Sequence, residues 1–363
     1  MLDVPKIDAP KFEARSAVKN LHAYQPPLAG RQGLRLDFNE STIGCSPRVL
    51  ARLRSLDAET LAHYLEREPV EAQVADLLGL SAPQVLLTNG VDEAIRLLCA
   101  TYLDPGDEAI IVVPTFAMYA LFAQAEGARV TQIPAGDNFA FPLQELLARI
   151  SPRTRLIAVA NPNNPTGAVV PCEVLLQIAQ SEPQAALLVD EAYFEFYGET
   201  LLNQTARPPN LFVARTFSKA YGLAGLRIGI LAGDAEQIAM VRRVASPYNV
   251  NAVALAVLPE AIRDQAFVKD YTAQVQHART ELEQELRTLG LHYWPSRANF
   301  VLVRVGPAYA EFIQALRAHG ILVRDRNSDP GCAGCVRLTV GSIVHTRTLI
   351  GALRDVTASL RGS

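Results

Sequence analysis

The chain has 363 residues, of which 49% are hydrophobic, and this composition is typical of a folded globular protein and excludes a disordered one. The formal net charge of −3 gives no electrostatic reason to expect a nucleic-acid-binding protein. We expect no secretory signal, because residues 1–20 alternate charged and apolar residues without an apolar core segment. We expect no membrane span, because Pro114 interrupts the longest apolar stretch, residues 109–125. The five cysteines are scattered and fit no disulfide framework, so a cytoplasmic location is expected.

Short apolar runs alternate with helical patterns between residues 85 and 232. The runs are residues 85–87, 109–113, 156–160, 185–189, 211–214 and 228–232. Fully apolar strands that are separated by helices are covered on both faces. The pattern therefore predicts an α/β fold with a mostly parallel sheet that is covered by helices.

A second, smaller α/β unit is predicted after this region. Residues 251–289 have a helical pattern, with Pro259 as an expected break or kink. Three strands (residues 300–305, 321–324 and 336–340) and a helix (residues 308–319) follow. We predict a large domain over residues 46–250 and a small domain over residues 251–363, with the loop-rich residues 1–45 packing beside the small one.

The polar motifs follow the predicted strand ends, where α/β proteins bind ligands. The segment from Thr88 to Ala94 follows the first strand and opens a helix, and exposed N–H groups at such a position form an anion site. Gly90 would let a phosphate approach the backbone. The alternative is an ordinary helix start that is capped by Asn89 or Asp92.

Asp190 ends a fully apolar strand, where a carboxylate is costly unless it meets a cation. A protonated pyridine nitrogen is such a cation, and a helix N-cap is the alternative. Tyr193 and Asn164 are candidates for binding an oxygen on the same ring, although Asn164 also suits a plain turn in its Asn- and Pro-rich segment. Phe116, after another strand, is equally suited to ring stacking and to core packing.

Lys219 follows a strand in Phe-Ser-Lys-Ala and is the candidate nucleophile toward an aldehyde, since a lysine at the mouth of a sheet can have a depressed pKa. The hydroxyl groups of Thr216 and Ser218 and the guanidinium of Arg227 suit a phosphate.

Two further arginines, Arg324 and Arg337, lie within otherwise apolar predicted strands. That position favours a clamp for a carboxylate or a phosphate over a surface salt bridge. Cys332 and Cys335 resemble half of a zinc site or a redox pair, but further ligands are missing nearby. A glycine-rich turn is the favoured interpretation, and no metal site is expected.

Together these motifs resemble those of the fold-type-I pyridoxal-phosphate aminotransferases, and they are most similar to the histidinol-phosphate aminotransferases. The resemblance covers residues 21–353. It is carried by Asn-Gly-x-Asp-Glu, Pro-Thr-Phe-x-Met-Tyr, Pro-Asn-Asn-Pro-Thr-Gly, Asp-Glu-Ala-Tyr, Ser-Lys-Ala-x-Gly-Leu-Ala-Gly-Leu-Arg-x-Gly and Arg-Leu-Thr-Val-Gly.

The resemblance implies that the cofactor is pyridoxal 5′-phosphate. Lys219 would form the internal aldimine and act as the base, and Asp190 would pair with the pyridine nitrogen. Tyr193 and Asn164 would bind the ring oxygen, and Phe116 would stack on the ring. The residues implied for the cofactor phosphate are Gly90 and Val91 through their backbone, Thr216, Ser218 and Arg227. Asp92 is a further implied cofactor-binding residue.

The resemblance also implies a homodimer in which Tyr64 reaches the phosphate in the neighbouring subunit. Arg324 and Arg337 would bind the substrate's carboxylate or phosphate, with Tyr24 and Asn39 as further substrate contacts. The implied reaction is ping-pong transamination between L-histidinol phosphate and 2-oxoglutarate, in histidine biosynthesis.

Three departures from the family pattern border the expected substrate pocket. Ser41-Thr42 replaces the usual Asn-Pro, Leu65 replaces the proline after the cross-subunit tyrosine, and Phe116 replaces a tyrosine. They leave two alternatives open, an aromatic amino-acid aminotransferase and a lyase that resembles threonine-phosphate decarboxylase.

Overall fold

The computed structural model describes residues 12–23, 25–28 and 30–362. These residues form two β-sheets with helices around them. The strands are β1 (Leu34–Leu36), β2 (Val85–Thr88), β3 (Glu108–Val113), β4 (Arg129–Pro134), β5 (Thr154–Ala160), β6 (Ala186–Asp190), β7 (Leu211–Thr216), β8 (Gly229–Ala232), β9 (His292–Trp294), β10 (Phe300–Arg304), β11 (Ile321–Asp325) and β12 (Cys335–Thr339). The helices are α1 (Ser16–Lys19), α2 (Pro47–Arg54), α3 (Ala58–Ala62), α4 (Glu68–Leu78), α5 (Gly90–Tyr102), α6 (Met118–Ala125), α7 (Leu143–Arg149), α8 (Cys172–Ser181), α9 (Ala235–Arg242), α10 (Ala252–Arg263), α11 (Gln265–Thr288), α12 (Tyr309–Ala318) and α13 (Ile343–Gly362).

The larger sheet has the strand order β2-β8-β7-β6-β5-β3-β4. The pairs from β7 through β4 are parallel, whereas β8 is antiparallel to both of its neighbours and pairs Gly229 with Thr216. Alternate residues of β6 belong to different apolar clusters: Leu187 and Val189 pack on one face, and Ala186 and Leu188 on the other. The predicted mostly parallel sheet, covered on both faces, is therefore confirmed.

Each of the six apolar runs predicted as strands forms a strand of this sheet. Sequence analysis missed β4, because it is an edge strand in which only Ile133 is buried and its residues therefore show no apolar run. It also missed β1 and β9, which have three residues each and lie at the edges of the smaller sheet.

The smaller sheet has the order β1-β11-β12-β10-β9. Its central strands pair antiparallel, and β1 joins it from the N-terminal part of the chain, parallel to β11. Arg324 on β11 lies opposite Arg337 on β12. The domain limits proposed above stay a prediction.

The helical region before the smaller sheet differs from the prediction at Pro259, which lies inside α10 without ending it. The chain instead breaks at Asp264, whose carboxylate accepts a hydrogen bond from the Phe267 N–H at 3.4 Å and caps α11. The packing of α10 against α2 and α4 offsets the backbone hydrogen bond that a proline removes. Within the described ranges, no helix is long and apolar enough to cross a bilayer.

Candidate active site

A cavity of about 390 Å³ lies where the carboxyl ends of β6 and β7 face strands β11 and β12. Both sheets contribute side chains to its wall. The predicted site residues that line it are Asn39, Val91, Asp92, Phe116, Asn164, Asp190, Tyr193, Thr216, Ser218, Lys219, Arg227, Arg324 and Arg337. The strand-end motifs, which are distant in sequence, thus meet in one place.

Lys219 follows β7, and its side chain is half-buried in the cavity wall. The pKa of the Lys219 amine is lowered to about 8, mainly by burial and also by the positive charges of Arg337 and Arg227, against the opposing effects of Glu40 and Asp92. The Nζ atom donates a hydrogen bond to the Phe38 carbonyl oxygen at 2.9 Å. A substantial neutral fraction near pH 8 is what a nucleophilic amine requires.

Asp190 is the last residue of β6 and is 5% exposed. Its Oδ1 atom accepts a hydrogen bond from the Ala192 N–H at 3.0 Å, and its Oδ2 atom accepts one from the Tyr119 hydroxyl at 2.6 Å. Burial raises the pKa of the Asp190 carboxyl to about 6, although both hydrogen bonds oppose that rise. The Ala192 contact resembles the local cap considered above, but Tyr119 comes from another helix, and the carboxylate lines the cavity.

Asn164 does more than form a turn. Its Oδ1 atom accepts hydrogen bonds from Arg337 and, at 3.3 Å, from Arg326. Because guanidinium groups only donate, the amide oxygen faces the arginines and the NH₂ group is turned away from them.

Tyr193 is buried, and burial raises the pKa of its hydroxyl group. This hydroxyl accepts a hydrogen bond from Asn39 Nδ2 at 2.9 Å. Asn39 is itself held by Thr339, whose hydroxyl accepts from the Asn39 N–H at 3.1 Å and donates to its Oδ1 atom at 3.0 Å. The predicted substrate contact and the predicted ring-oxygen ligand are therefore neighbours in one network.

The start of α5, where the sequence predicts an anion cradle, borders the cavity through Val91 and Asp92. Gly90 has a φ of +77°, and a Cβ atom there would lie 2.8 Å from Arg227 Nη2. Asp92, one of the two possible caps, forms an ion pair with Arg227 at 2.9 Å. Among the described residues, Asn89 makes no side-chain capping hydrogen bond, so the helix start offers its N–H groups to an anion.

Two hydroxyl groups complete this end of the cavity. The Thr216 hydroxyl donates a hydrogen bond to Ser218 Oγ at 2.9 Å, and both residues are buried. Hydroxyl groups, a guanidinium and a helix N-terminus together suit a phosphate.

Three guanidinium groups line the opposite side. Arg337 is 4% exposed and donates to the Asp37 carbonyl oxygen at 2.7 Å. The Arg324 guanidinium lies 4.9 Å from the centre of the Phe38 ring. Arg326, two residues further along, forms an ion pair with Asp329 at 3.2 Å.

Among the described residues, Tyr64 is a predicted site residue that lies away from the cavity. The side chain of Tyr64 is 78% exposed, and its ring stacks on Tyr248 with 4.1 Å between ring centres. Tyr24 lies outside the described residues. The roles assigned to individual side chains stay predictions.

Sequence analysis missed Tyr119, Arg326 and Asp329 as residues of the cavity wall. Two of them carried a signal. Tyr119 lies three residues after Phe116, about one helical turn away. Arg326 lies two residues after Arg324, and the period of a strand places such residues on the same face.

The donor set fits pyridoxal phosphate. The Lys219 amine suits an aldehyde. The buried Asp190 carboxylate suits a protonated ring nitrogen, because protein donors use two of its four lone-pair positions and the other two can accept a further hydrogen bond. A Cβ atom at Gly90 would displace the end of the Arg227 side chain, and the φ of +77° there is one that other residues rarely adopt.

Comparisons with known proteins agree with this chemistry. A model of the family described as aminotransferase class I and II matches residues 31–353. Histidinol-phosphate aminotransferase 1 of Trichormus variabilis is 34% identical over 348 residues, which are 94% of this chain and 98% of the relative. Histidinol-phosphate aminotransferase 2 of Pseudomonas fluorescens is 36% identical over 332 residues, which are 90% of this chain and 89% of the relative.

Among solved structures, the histidinol-phosphate aminotransferase of Sinorhizobium meliloti in complex with pyridoxal 5′-phosphate matches with a TM-score of 0.87 and 26% identity. The match covers 96% of this chain and 98% of that chain. Family model, relatives and fold confirm the predicted cofactor and show that the reaction is a transamination. The chain belongs to the class I and II aminotransferases and is a pyridoxal-phosphate-dependent aminotransferase.

Proposed function

We propose that this aminotransferase takes its amino group from a small phosphorylated amine, with L-histidinol phosphate as the best candidate, and transfers it to a 2-oxo acid such as 2-oxoglutarate. The observation that carries the proposal is the convergence of Arg324, Arg326 and Arg337 on one side of the cavity. Asp329 is an acidic residue on the same side and pairs with Arg326. Three arginines against one aspartate leave an excess of positive charge on this side. A dianionic phosphate matches that excess better than a single carboxylate does.

The relatives support this substrate class. Proteins named histidinol-phosphate aminotransferase are 34% and 36% identical to nearly the whole chain. The aminotransferase names among the relatives and the structural neighbours favour transamination over the decarboxylase alternative.

Each side chain has a defined task in this reaction. Bound pyridoxal phosphate supplies an aldehyde and a ring that accepts electrons. Lys219 Nζ, in its neutral form, would accept the proton from the amino-bearing carbon of the donor and return it later. Asp190 would hold a proton on the ring nitrogen, and Thr216, Ser218 and Arg227 would anchor the phosphate of the cofactor.

An aromatic amino acid is the second candidate for the donor. Phe38 and Phe116 line the same cavity, and aromatic rings favour an apolar donor side chain. The imidazole of histidinol phosphate is also a flat ring, so the aromatic contacts do not favour one candidate donor over the other. The three arginines favour histidinol phosphate, because it carries a phosphate.

A donor screen tests the proposal. The loaded enzyme is mixed with L-histidinol phosphate, L-histidinol, L-phenylalanine and L-threonine phosphate, and the loss of the bound aldehyde's visible absorbance is followed together with product analysis. We expect kcat/KM for histidinol phosphate to exceed that for histidinol roughly a hundredfold, as for the loss of two charge-assisted hydrogen bonds.

Arg326→Gln should lower kcat/KM for histidinol phosphate more than kcat/KM for histidinol, because only the phosphorylated donor uses the third guanidinium. Loss of the hydrogen bond from Arg326 to Asn164 would affect both donors alike. Arg317→Gln, at an exposed position on α12, is the matched control. A preference for phenylalanine, or equal rates with and without the phosphate, would contradict the proposed donor.

We further propose a homodimer in which Tyr64 of each subunit contacts the cofactor phosphate in the other. Tyr64 and Tyr248 form an exposed aromatic pair, with 78% and 59% of their side chains accessible, and exposed aromatic residues are typical of interfaces. A cytoplasmic location stays a prediction from the cysteine content.

A further inference from the structure

Tyr119 is a buried residue of the site that the reaction described above does not use. It lies in the first turn of α6 and is 1% exposed. Its hydroxyl donates a hydrogen bond to Asp190 Oδ2 at 2.6 Å, within the range of charge-assisted O–H···O⁻ bonds. The donor comes from a helix after β3, whereas the acceptor ends β6, so this bond joins two separate parts of the chain.

The direction of the bond is well defined. Burial and the adjacent Asp190 charge raise the pKa of the Tyr119 hydroxyl well above its ordinary value, so the tyrosine stays protonated and donates. A hydrogen bond donated to a carboxylate favours its ionised form and fixes its rotation. The Ala192 N–H, at 3.0 Å from Oδ1, holds the other oxygen atom.

The ring of Tyr119 has a second contact. It packs edge to face against Phe116, with 5.8 Å between ring centres and 83° between the planes. Phe116 is the ring that the resemblance assigns to stacking on the cofactor. The tyrosine therefore touches two residues that would lie against the cofactor, and its hydroxyl and its ring have separable contacts.

We propose that Tyr119 is a positioning residue that keeps the Asp190 carboxylate ionised and fixed, so that it can pair with the ring nitrogen of pyridoxal phosphate. Tyr119→Phe removes the hydroxyl and retains the ring that packs on Phe116. Without this donor, burial opposes the Asp190 charge more effectively, and the carboxylate becomes protonated at a higher pH. Pairing with the cofactor is then lost first on the acidic side of neutrality.

The test measures the dissociation constant of pyridoxal phosphate between pH 5.5 and 8.5 for the wild-type chain, Tyr119→Phe, Asp190→Asn and the double variant. We expect Tyr119→Phe to weaken binding about tenfold near pH 6, as for one hydrogen bond to a charged group, and less at pH 8.5. In the Asp190→Asn background the same change should have little effect, because the ionised carboxylate that Tyr119 would stabilise is absent. Tyr102→Phe, which removes the hydroxyl that bonds Gln237 at 2.9 Å, is the control and should bind normally.

Thermal unfolding of the cofactor-free variants gives a second readout. The pKa of Asp190 is raised to about 6 in the folded chain, so its burial costs stability increasingly as the pH rises from about 4 through 6. Tyr119→Phe should enlarge this loss and extend it above pH 6. Unchanged binding across the pH range would overturn the proposal, and so would an equal loss of binding in the Asp190→Asn background, which would assign the effect to packing on Phe116.

Discussion

At the scale of single residues, the site contains two ionisable groups whose pKa values are shifted because they are buried away from water. Burial and two nearby arginines lower the pKa of the Lys219 amine. Asp190 is a carboxylate that burial pushes toward its neutral form and that two hydrogen bonds hold against this. Opposite perturbations of a base and an acid in one cavity are typical of catalytic sites, since each group then titrates near neutral pH.

The depressed pKa of Lys219 has a consequence for stability. Below about pH 8 the amine is protonated in both the folded and the unfolded state, so the penalty for burying the charge is fully present. Above that pH the folded state binds fewer protons than the unfolded one, and the penalty fades as the pH approaches 10.5. We therefore expect cofactor-free Lys219→Met to melt at a higher temperature than wild type at pH 7, with a smaller difference at pH 9.5.

Lys269→Met, at an exposed position on α11, is the control for removing a lysine and should show no such trend. Lys219→Met should also lose the visible absorbance of the bound aldehyde and the turnover of any donor. Normal absorbance and turnover in this variant would contradict the assignment of the nucleophile.

At the scale of elements, the proposed anion site at the start of α5 depends on one backbone conformation. The helix begins at Gly90 in the left-handed region, directly after β2, and Arg227 approaches it from the β7–β8 connection. A side chain at Gly90 would meet the guanidinium rather than solvent. The cradle therefore depends on a glycine at the point where strand, helix and arginine converge.

Gly90→Ala should weaken pyridoxal phosphate binding and destabilise the fold by about 1 kcal/mol or more, from backbone strain and displacement of Arg227. Gly225→Ala is the matched control, because nothing lies within 4 Å of a Cβ atom built there. Cofactor titration and chemical denaturation measure the two effects. Equal behaviour of the two variants would show that the space at Gly90 is not needed.

At the scale of the whole molecule, the proposed dimer would place Tyr64 in the neighbouring active site. Sedimentation of the purified protein should give twice the mass of one chain. Tyr64→Phe should leave this mass unchanged and weaken cofactor binding severalfold, because the hydroxyl contributes one hydrogen bond. Tyr309→Phe on α12 is the control; a monomeric wild type that binds cofactor fully would refute the shared site.

Much of this architecture could be predicted because the strands of a buried parallel sheet are continuous apolar runs in the sequence. Apolar runs predicted β2, β3 and β5 through β8, and the polar motifs after them predicted the cavity wall. β4 escaped prediction because Ile133 is its one buried residue. Pro259 does not break α10, because the packing of this helix outweighs the helix-breaking tendency of proline.

The partners of the predicted residues were harder to foresee. The hydrogen bond of Tyr119 to Asp190 spans 71 positions, and no periodic pattern encodes a contact across that distance. The Phe38 carbonyl that accepts from Lys219 is a backbone atom 181 positions away, so the identity of the residue gives no hint of it. Motifs identify the residues that act on a ligand. The groups that hold those residues in position are found only through the fold.

The antiparallel direction of β8 places two ends of the cofactor site on one short hairpin. Lys219 and Arg227 both lie in the connection between β7 and β8, which the Phe217 N–H closes by donating to the Ile228 carbonyl oxygen at 3.1 Å. The amine and the guanidinium are thus spaced by a loop whose two ends are tied together. If Lys219 and Arg227 bind the aldehyde and the phosphate as proposed, this loop sets the distance between them, and a ligand must match that distance as well as the charge at either end.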